Sequence, residues 1–375
     1  QISLMFLKSL IVLTISASAT ALTASTISGC PALTPRSSPA TTVHDLRIDD
    51  IKMVAALGDS ITAGFAAKGV QGPTIVNLAN LNEDRGVSFA MGGDPGAVTL
   101  ATLMKNYQPK LHGASLGEHL VEASDLCPPF QYKPSSDVLN AAQSGGLAEN
   151  LDHELDYLIA GNLALAMATL PGGNFLTDWK LITIQIGSND QCSSCNTNNT
   201  ESTPQAYGNY VRAAVQKIQK YIPRVIVNLV GEFRVSPVYT VTANQSYCQP
   251  FTGSTLEINS IECSCAKTAA GKAFMDQTCD GYNAQLQQIY QDYKALNSPT
   301  FAVVYTPANI QVGTFPIQAF SNIDCFHPSV LAHQWIAKVI WNQLFLPQSS
   351  KPTSYSFDAN LQINCPASTD RIQLN

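Results

Sequence analysis

A serine follows the first long apolar segment of the chain, at a place where a strand would end. Residues 51–57 read IKMVAAL, and Gly58, Asp59 and Ser60 follow before small residues resume. A serine hydroxyl is a weak nucleophile unless a neighbouring base takes its proton. The position therefore fits either an ordinary strand-to-helix turn with Ser60 as the N-cap or a turn that presents a nucleophile.

Suitable partners for such a nucleophile occur further along the chain. Asp324 and His327 are three residues apart in DCFHPS, close enough for the carboxylate to orient the imidazole. Asn189 follows an apolar run in IGSND, and Gly145 lies in NAAQSGG, where a backbone N–H could face a substrate without obstruction. A hydroxyl, an imidazole, a carboxylate and several N–H donors are the groups that acyl transfer requires.

Strands and helices alternate around these residues. Apolar runs predict strands at 51–57, 137–142, 181–187, 224–231 and 301–307. Helical periodicity predicts helices at 148–167, 205–221, 281–296 and 330–345. This alternation predicts an α/β fold with a mostly parallel sheet and helices on both faces. In such folds the active site lies beyond the carboxyl ends of the strands, where the four candidate turns fall.

Four short blocks, GDSITAG, NAAQSG, GSND and DCFH, occur in this order. They resemble the blocks of the SGNH, or GDSL-type, esterases and lipases, a family named for a Ser, a Gly, an Asn and a His. GVSFAMGGD, DWKLITIQIGSNDQCSSC and ECSCA resemble the animal-type phospholipase B branch and extend the likeness over most of residues 50–345. Two positions depart from the family pattern: Ile61 replaces the Leu of the family name, and Ala332 stands where many members have Gly.

The resemblance implies a fold, a mechanism and a substrate. The fold would be a flavodoxin-like, three-layer α/β/α sandwich. Ser60 would be the nucleophile, His327 the general base and acid, and Asp324 the residue that orients His327. The backbone N–H groups of Ser60 and Gly145 and the side chain of Asn189 would form the oxyanion hole. The reaction would be hydrolysis of fatty acyl esters of glycerophospholipids and lysophospholipids through an acyl-enzyme, with no metal or organic cofactor.

The two ends of the chain differ in composition from the middle. Lys8, a short apolar run and small residues predict a secretory signal peptide. ISGC, which ends at Cys30, alternatively resembles a bacterial lipoprotein cleavage box. A Pro, Ser and Thr-rich stretch follows and predicts a linker or propeptide rather than core, and Cys365 could tie down the irregular C-terminal tail. We therefore divide the chain into a signal peptide at 1–24, a linker or propeptide at 25–45, the hydrolase domain at 46–347 and a tail at 348–375.

Cysteine usage and charge indicate the compartment and exclude some partners. Ten cysteines and the glycosylation sequons at Asn198 and Asn244 favour an oxidising compartment. No later apolar run has the length of a membrane span, so we expect a secreted monomer that contacts a membrane or micelle surface transiently. The net charge is −6 and no basic block occurs, which argues against nucleic-acid binding.

The cysteine spacing leaves more than one interpretation open. Cys192 and Cys195 could form a redox motif, but in a secreted chain a structural disulfide beside the Asn189 turn is favoured. A zinc site made with Cys263 and Cys265 is conceivable, although their C-x-C spacing argues against it. A disulfide at Cys325 would pin the loop that carries Asp324 and His327, so reduction should lower activity before it unfolds the protein.

Other polar residues are interpreted as structural. Asp59 and Asp190 are expected to stabilise turns. Residues 78–107 could line an acyl pocket or form a plain loop, with nothing in the sequence to decide. The remaining histidines lack a partner block and are expected to be structural or solvated; these are His44, His112, His119, His153 and His333.

Two other functions remain as alternatives. One is an esterase of the same fold that acts on a different ester, such as a simple lipid or an acetylated carbohydrate. The other is a non-catalytic binding module, which should have lost at least one of the four blocks. All four blocks are intact, which argues against the binding module.

Overall fold

The computed structural model describes residues 22–69, 81–121, 132–196, 199–248 and 262–375. Most of the predicted signal peptide and the sequon at Asn198 lie outside the described residues. Asn244, in the second sequon, is exposed, so its side chain is open to modification.

A parallel sheet of four strands forms the centre of the fold. The strands are β1 (Ile51–Gly58), β2 (Trp179–Gln185), β3 (Val225–Val230) and β4 (Phe301–Thr306). They lie side by side in the order β1-β2-β3-β4, and every pair is parallel. Nearly every strand residue is buried, as expected when helices cover both faces of a parallel sheet. The predicted α/β fold with a parallel central sheet is thus confirmed.

Helices cover the sheet in two groups. In one group, the long helices at 204–221 and 269–296 pack on each other, and the helix at 269–296 also packs on β4. In the other group, the helix at 330–343 packs on the helix at 100–105. The helices are α1 (Ser60–Ala63), α2 (Leu100–Lys105), α3 (Pro134–Asp137), α4 (Leu151–Tyr157), α5 (Leu163–Thr169), α6 (Ser188–Ser193), α7 (Pro204–Tyr221), α8 (Val238–Thr242), α9 (Ala269–Leu296) and α10 (Val330–Gln343).

Two predicted helices differ from the observed ones. The predicted helix at 148–167 is interrupted at Ala160 and Gly161, and Gly161 has a φ of 111°, which glycine adopts readily and other residues rarely. The predicted helix at 281–296 begins earlier, because the Thr268 side chain caps its first turn by accepting a hydrogen bond from the Gly271 N–H.

The predicted strand at 137–142 is not a full strand. Asp137 closes the short helix α3, and Val138 has a φ of 53°, so the chain becomes extended only afterwards. Parallel pairing with β1 is then limited to a bridge between Asn140 and Ala56, after which the Gln143 N–H donates to the carbonyl of Gly58. The segment is short, but it places the turn with Gly145 next to the end of β1.

Both ends of the described chain pack on the domain. Strand Thr23–Ala24 pairs with Ile363–Asn364, and a disulfide joins Cys30 to Cys365. Ala40 and Val43 belong to the hydrophobic core. Composition predicts a linker or propeptide outside the core for residues 25–45, whereas Ala40 and Val43 are buried in the core, which composition alone does not reveal. The domain boundary at residue 45 stays a prediction. The Cys30 sulfur is occupied by the disulfide, which also argues against the lipoprotein alternative.

Candidate active site

Ser60 lies at the sharp turn that ends β1. Gly58 is required there, since a Cβ at this position would lie 2.2 Å from the carbonyl oxygen of Gln185. Asp59, not Ser60, caps α1: its Oδ1 accepts from the Ile61 N–H at 3.0 Å, and its Oδ2 accepts from the Ser188 N–H at 3.4 Å. Burial raises the pKa of Asp59 to about 6, although these hydrogen bonds and the nearby His327 oppose the shift. Because Asp59 acts as the cap, the Ser60 hydroxyl is left available for other contacts.

The Ser60 hydroxyl faces His327, which in turn faces Asp324. Ser60 Oγ lies 2.7 Å from His327 Nε2, and His327 Nδ1 lies 2.5 Å from Asp324 Oδ2. Asp324 Oδ1 accepts hydrogen bonds from the backbone N–H groups of Phe326 and His327 at 2.9 and 3.0 Å. All three side chains of the Ser60–His327–Asp324 chain are buried. The carboxylate is therefore fixed in the orientation that keeps Nδ1 protonated and Nε2 free to accept a proton.

His327 must be neutral to accept the Ser60 proton, which determines the pH dependence. Burial lowers the pKa of His327, but the charge of Asp324 and its hydrogen bond outweigh burial, so the pKa lies above the usual imidazole value. We therefore expect kcat/KM to fall as the pH drops through this raised pKa, with a midpoint above that of a free imidazole. The pH profile of kcat/KM on a neutral short-chain ester measures the midpoint. A fall in kcat/KM whose midpoint lies below the ordinary pKa of imidazole would contradict the prediction.

Asn189 and Gly145 lie in two turns that are hydrogen-bonded to each other. Asn189 Nδ2 donates to the carbonyl of Gly146 at 2.9 Å, which leaves its second amide hydrogen for another acceptor. Gly145 is exposed with a φ of 80°, and within the described ranges its N–H makes no hydrogen bond to protein. The two turns are also hydrogen-bonded to the residues before Ser60, through Gln143 to Gly58 and through Ser188 to Asp59. Donors from both turns thus adjoin the nucleophile turn.

Disulfides surround this region. Cys248 pairs with Cys325, the residue between Asp324 and His327. The Cys192–Cys263 disulfide joins α6, which contains Asn189, to the segment at 263–265, and the Cys195–Cys265 disulfide joins the residues just after α6 to the same segment. Their sulfurs are therefore unavailable to zinc or to a Cys192–Cys195 redox pair. Cys279 has no disulfide partner among the described residues, and Cys127 lies outside them.

Removing the Cys248–Cys325 disulfide should lower activity more than removing a remote one. In the variant Cys248→Ala/Cys325→Ala the loop of Asp324 and His327 loses its covalent anchor, so we expect kcat to fall about tenfold or more while the protein remains folded. The control Cys30→Ala/Cys365→Ala should lose a comparable stability, about 2–4 kcal/mol, and keep its kcat. Kinetics and urea unfolding of both variants provide the measurement. Equal kcat in the two variants would contradict a role for the disulfide in catalysis.

An apolar cleft adjoins His327 and Ile61, the residue that follows Ser60. It is narrow, with a cavity volume of about 30 Å³, and among its lining side chains only Ser188 and His327 are polar. The walls come from separate segments: Phe233, Val235 and Val238 on one side, and residues 310–320 on the other. The described part of 78–107 does not line this cleft, and it is not a plain loop either, since it contains α2. Sequence reasoning missed the cleft, since its walls share no motif.

Two of the remaining histidines make structural contacts. His333 is fully buried, and burial lowers its pKa to about 3, so the ring is neutral; its Nδ1 accepts from the Phe89 N–H, which is a structural role. His119 has a partner that the sequence did not indicate, because its Nε2 lies 2.9 Å from Asp137. The motif NEDRG at 82–86 supplies the other members of that cluster, Glu83 and Arg85.

The α/β fold and the buried Ser–His–Asp chain define the class of serine-hydrolase-type sites, and comparison with known proteins identifies the family. The family model of GDSL-like lipases/acylhydrolases matches residues 54–340. The chain therefore belongs to this family and is a carboxylic ester hydrolase. The resemblance noted in the sequence is thereby confirmed.

Relatives show which proteins the chain is similar to. Membrane-associated phospholipase B1 of Homo sapiens is 29% identical over 348 residues, and that of Mus musculus is 27% identical over 352 residues. Each alignment covers 90% of this chain but only 22% of the relative, so the chain spans about a fifth of the length of these proteins. Among solved structures, Axe2, an acetylxylan esterase from Geobacillus stearothermophilus, aligns with a TM-score of 0.37 and 16% identity, covering 83% of this chain and 100% of its own.

Across the described ranges, none of the helices combines the length and apolarity needed to span a bilayer. In the same ranges, no three or more His, Cys, Asp or Glu side chains are grouped so that they could hold a metal ion.

Proposed function

We propose that the protein hydrolyses fatty acyl esters of glycerophospholipids and lysophospholipids, as a phospholipase B or lysophospholipase would. The observation that carries this proposal is the apolar cleft beside His327 and Ile61, which follows Ser60 in the chain. A fatty acyl chain needs an apolar surface that continues from the reacting carbonyl, and the cleft provides one. The similarity to phospholipase B1 supports the same substrate class.

The proposed mechanism uses the residues of the site in sequence. Ser60 Oγ attacks the ester carbonyl carbon while His327 Nε2 takes its proton, and Asp324 stabilises the imidazolium that results. The N–H groups of Ser60 and Gly145 and the amide of Asn189 receive the developing oxyanion. Loss of one such donor typically costs about 10²–10³ in kcat. His327 then protonates the departing alcohol, and water, activated by the same imidazole, releases the fatty acid from Ser60.

We also propose that the protein is secreted as a monomer and touches membranes or micelles transiently. Four disulfides support an oxidising compartment. Cleavage of the signal peptide and glycosylation at Asn198 and Asn244 belong to the same proposal.

The test uses phosphatidylcholine that carries different acyl chains at its two positions. Release of both fatty acids would establish a phospholipase B reaction, and release of one would define a position-selective phospholipase A. A fluorophosphonate probe, applied in parallel, reports whether Ser60 is reactive. Labelling of Ser60 without release of either fatty acid would show a functional site and overturn the phospholipid assignment.

A bulky side chain in the cleft should change the preferred acyl length. Val312 lines the cleft from a short turn, and we expect Val312→Trp to lower kcat/KM about tenfold for palmitoyl esters and leave that for butyryl esters unchanged. Val98→Trp is the same substitution outside the cleft, and it should change kcat/KM for neither the palmitoyl nor the butyryl ester. The ratio of kcat/KM for p-nitrophenyl palmitate and butyrate measures the effect. An unchanged ratio in Val312→Trp would place the acyl chain elsewhere.

A further inference from the structure

A cluster of four charged side chains lies beside the active site but outside the Ser60–His327–Asp324 chain. Glu83, Arg85 and Asp137 are almost completely buried, and His119 closes the cluster on its outer side. Arg85 contacts Glu83 Oε2 at 2.5 Å and Asp137 Oδ1 at 3.2 Å. Buried charges are costly unless they are paired, and leaving one unpaired is strongly destabilising. The mechanism proposed above gives this cluster no role, so its position needs a separate explanation.

Glu83 connects the cluster to the turn that carries Gly145. Its Oε2 faces Arg85, while its Oε1 accepts two hydrogen bonds from Ser144, one from the hydroxyl at 2.6 Å and one from the backbone N–H at 3.1 Å. Ser144 directly precedes Gly145 in the chain. One buried carboxylate therefore anchors the residue before the candidate oxyanion donor, and Arg85 prevents that carboxylate from turning away.

The same cluster also contacts the nucleophile turn. Arg85 donates to the carbonyl of Asn140 at 3.1 Å, and Asn140 Nδ2 donates to the carbonyl of Thr62 in α1 at 2.9 Å. Glu83 itself forms an antiparallel bridge with Phe65, just beyond α1. The nucleophile helix and the Gly145 turn are thus held to one rigid, charged group.

Gly145 has little else to hold it. It is exposed, and a Cβ built on it would meet no atom within 4 Å, so packing does not orient its peptide. Its orientation depends on the neighbours, Ser144 on one side and Gly146, held by Asn189 and Gln143, on the other. An oxyanion donor must be aimed before the reaction, because a misplacement of about 1 Å can cost about 10²-fold in rate.

From these contacts we infer that Glu83 is a positioning residue that acts through Ser144 to aim the Gly145 N–H at the oxyanion. Arg85 is the counter-ion that keeps the Glu83 carboxylate in place. This inference rests on the proposed function, since it assumes that Ser60 is the nucleophile and Gly145 a donor. It adds a function for NEDRG that the four family blocks do not describe.

The test compares three serine variants on the soluble ester p-nitrophenyl butyrate. Ser144→Ala removes the hydroxyl that donates to Glu83, and we expect kcat to fall about tenfold with KM within about twofold of wild type. Ser144→Thr keeps a hydroxyl and should recover most of the loss. Ser115→Ala is the matched control: Ser115 is equally buried, but its hydroxyl donates to the carbonyl of Asp137 rather than to Glu83, so kcat should not change.

Glu83→Gln extends the test and separates positioning from stability. The Gln amide must either face Arg85 or turn its NH₂ towards the Ser144 donors, so we expect kcat to fall about 30-fold or more. Butylboronic acid forms a tetrahedral adduct with the serine and places an oxygen in the oxyanion site. In Glu83→Gln and Ser144→Ala we expect its inhibition constant to rise by the same factor by which kcat/KM falls. Urea unfolding shows whether each variant is folded at the assay temperature.

The outcomes separate this inference from the proposed function. Variants of Ser144 and Glu83 that are folded and keep wild-type kcat and boronate affinity would overturn the inference alone, provided that Ser60→Ala is inactive. An equal loss of kcat in Ser115→Ala would also overturn it, because the effect would then be general destabilisation. An active Ser60→Ala would instead overturn the proposed function on which the inference rests.

Discussion

Replacing Ser60 by alanine should lower kcat for ester hydrolysis by about 10⁶-fold, close to the background rate. The Oγ atom, 2.7 Å from His327 Nε2, is the group that would form the acyl-enzyme, and among the described residues no other hydroxyl is hydrogen-bonded to His327. The serine is nearly fully buried and alanine is smaller, so the fold should be retained. Initial rates on p-nitrophenyl butyrate and labelling by a fluorophosphonate both report the loss.

Ser202→Ala is a matched control for this experiment. Ser202 is also buried, and its hydroxyl lies within hydrogen-bond distance of Ser193 and Asn199, not of His327. The control should keep its rate within about twofold, since changes away from the site alter neither the nucleophile nor its base. If Ser60→Ala kept more than a tenth of wild-type activity, the nucleophile would have to be another residue.

Replacing Asp324 by asparagine should lower kcat by about 10⁴-fold with little change in KM. Asp324 Oδ1 accepts from the N–H groups of Phe326 and His327, so the asparagine must keep its oxygen there and turn its NH₂ towards His327 Nδ1. That contact requires an unprotonated Nδ1, which moves the ring proton to Nε2. The imidazole then faces Ser60 with a donor and cannot accept the hydroxyl proton.

Asp190→Asn provides the matched control for this change. Asp190 is as buried as Asp324 and lies beside Asn189, but it accepts from the Ala148 N–H and does not contact His327. Burial raises the pKa of Asp190 to about 7, so much of this carboxyl is already neutral near neutral pH and the amide is a close substitute. We expect kcat within about threefold of wild type. A loss below tenfold in Asp324→Asn would mean that the carboxylate does not set the tautomer of His327.

Most of the sheet and the active-site residues could be predicted because their signals are local. β1, β2, β3 and β4 are short apolar runs that are buried on both faces, and such runs are recognisable without knowledge of their neighbours. Asp324 and His327 are close in sequence, so their contact follows from spacing. Ser60, Gly145 and Asn189 each follow a segment that runs along or within the sheet, and parallel strands bring their carboxyl ends to one edge.

Features that depend on long-range packing could not be predicted in the same way. The apolar run at 137–142 predicts a strand, but pairing with β1 is limited to a bridge at Asn140. The helical turn α3 ends at Asp137, the first residue of that predicted strand. Residues 25–45 were interpreted as a linker because their composition is typical of one. Ala40 and Val43 are nevertheless buried, and distant residues hold them: the Ala40 carbonyl accepts from Trp179 Nε1, and the Val43 N–H donates to the carbonyl of Pro299.

By itself, the sequence determined the class of reaction, ester hydrolysis, because the candidate nucleophile, the candidate base with its carboxylate and the candidate donor turns lie in short blocks that need only a parallel sheet to meet. Only the tertiary structure decided what surrounds them. The walls of the cleft come from Phe233 and its neighbours and from residues 310–320, and the disulfide partner of Cys325 is Cys248. The hydrogen bond from Ser144 to Glu83 joins residues 61 positions apart. Such contacts depend on how distant segments pack, and no local pattern of residue types specifies that packing.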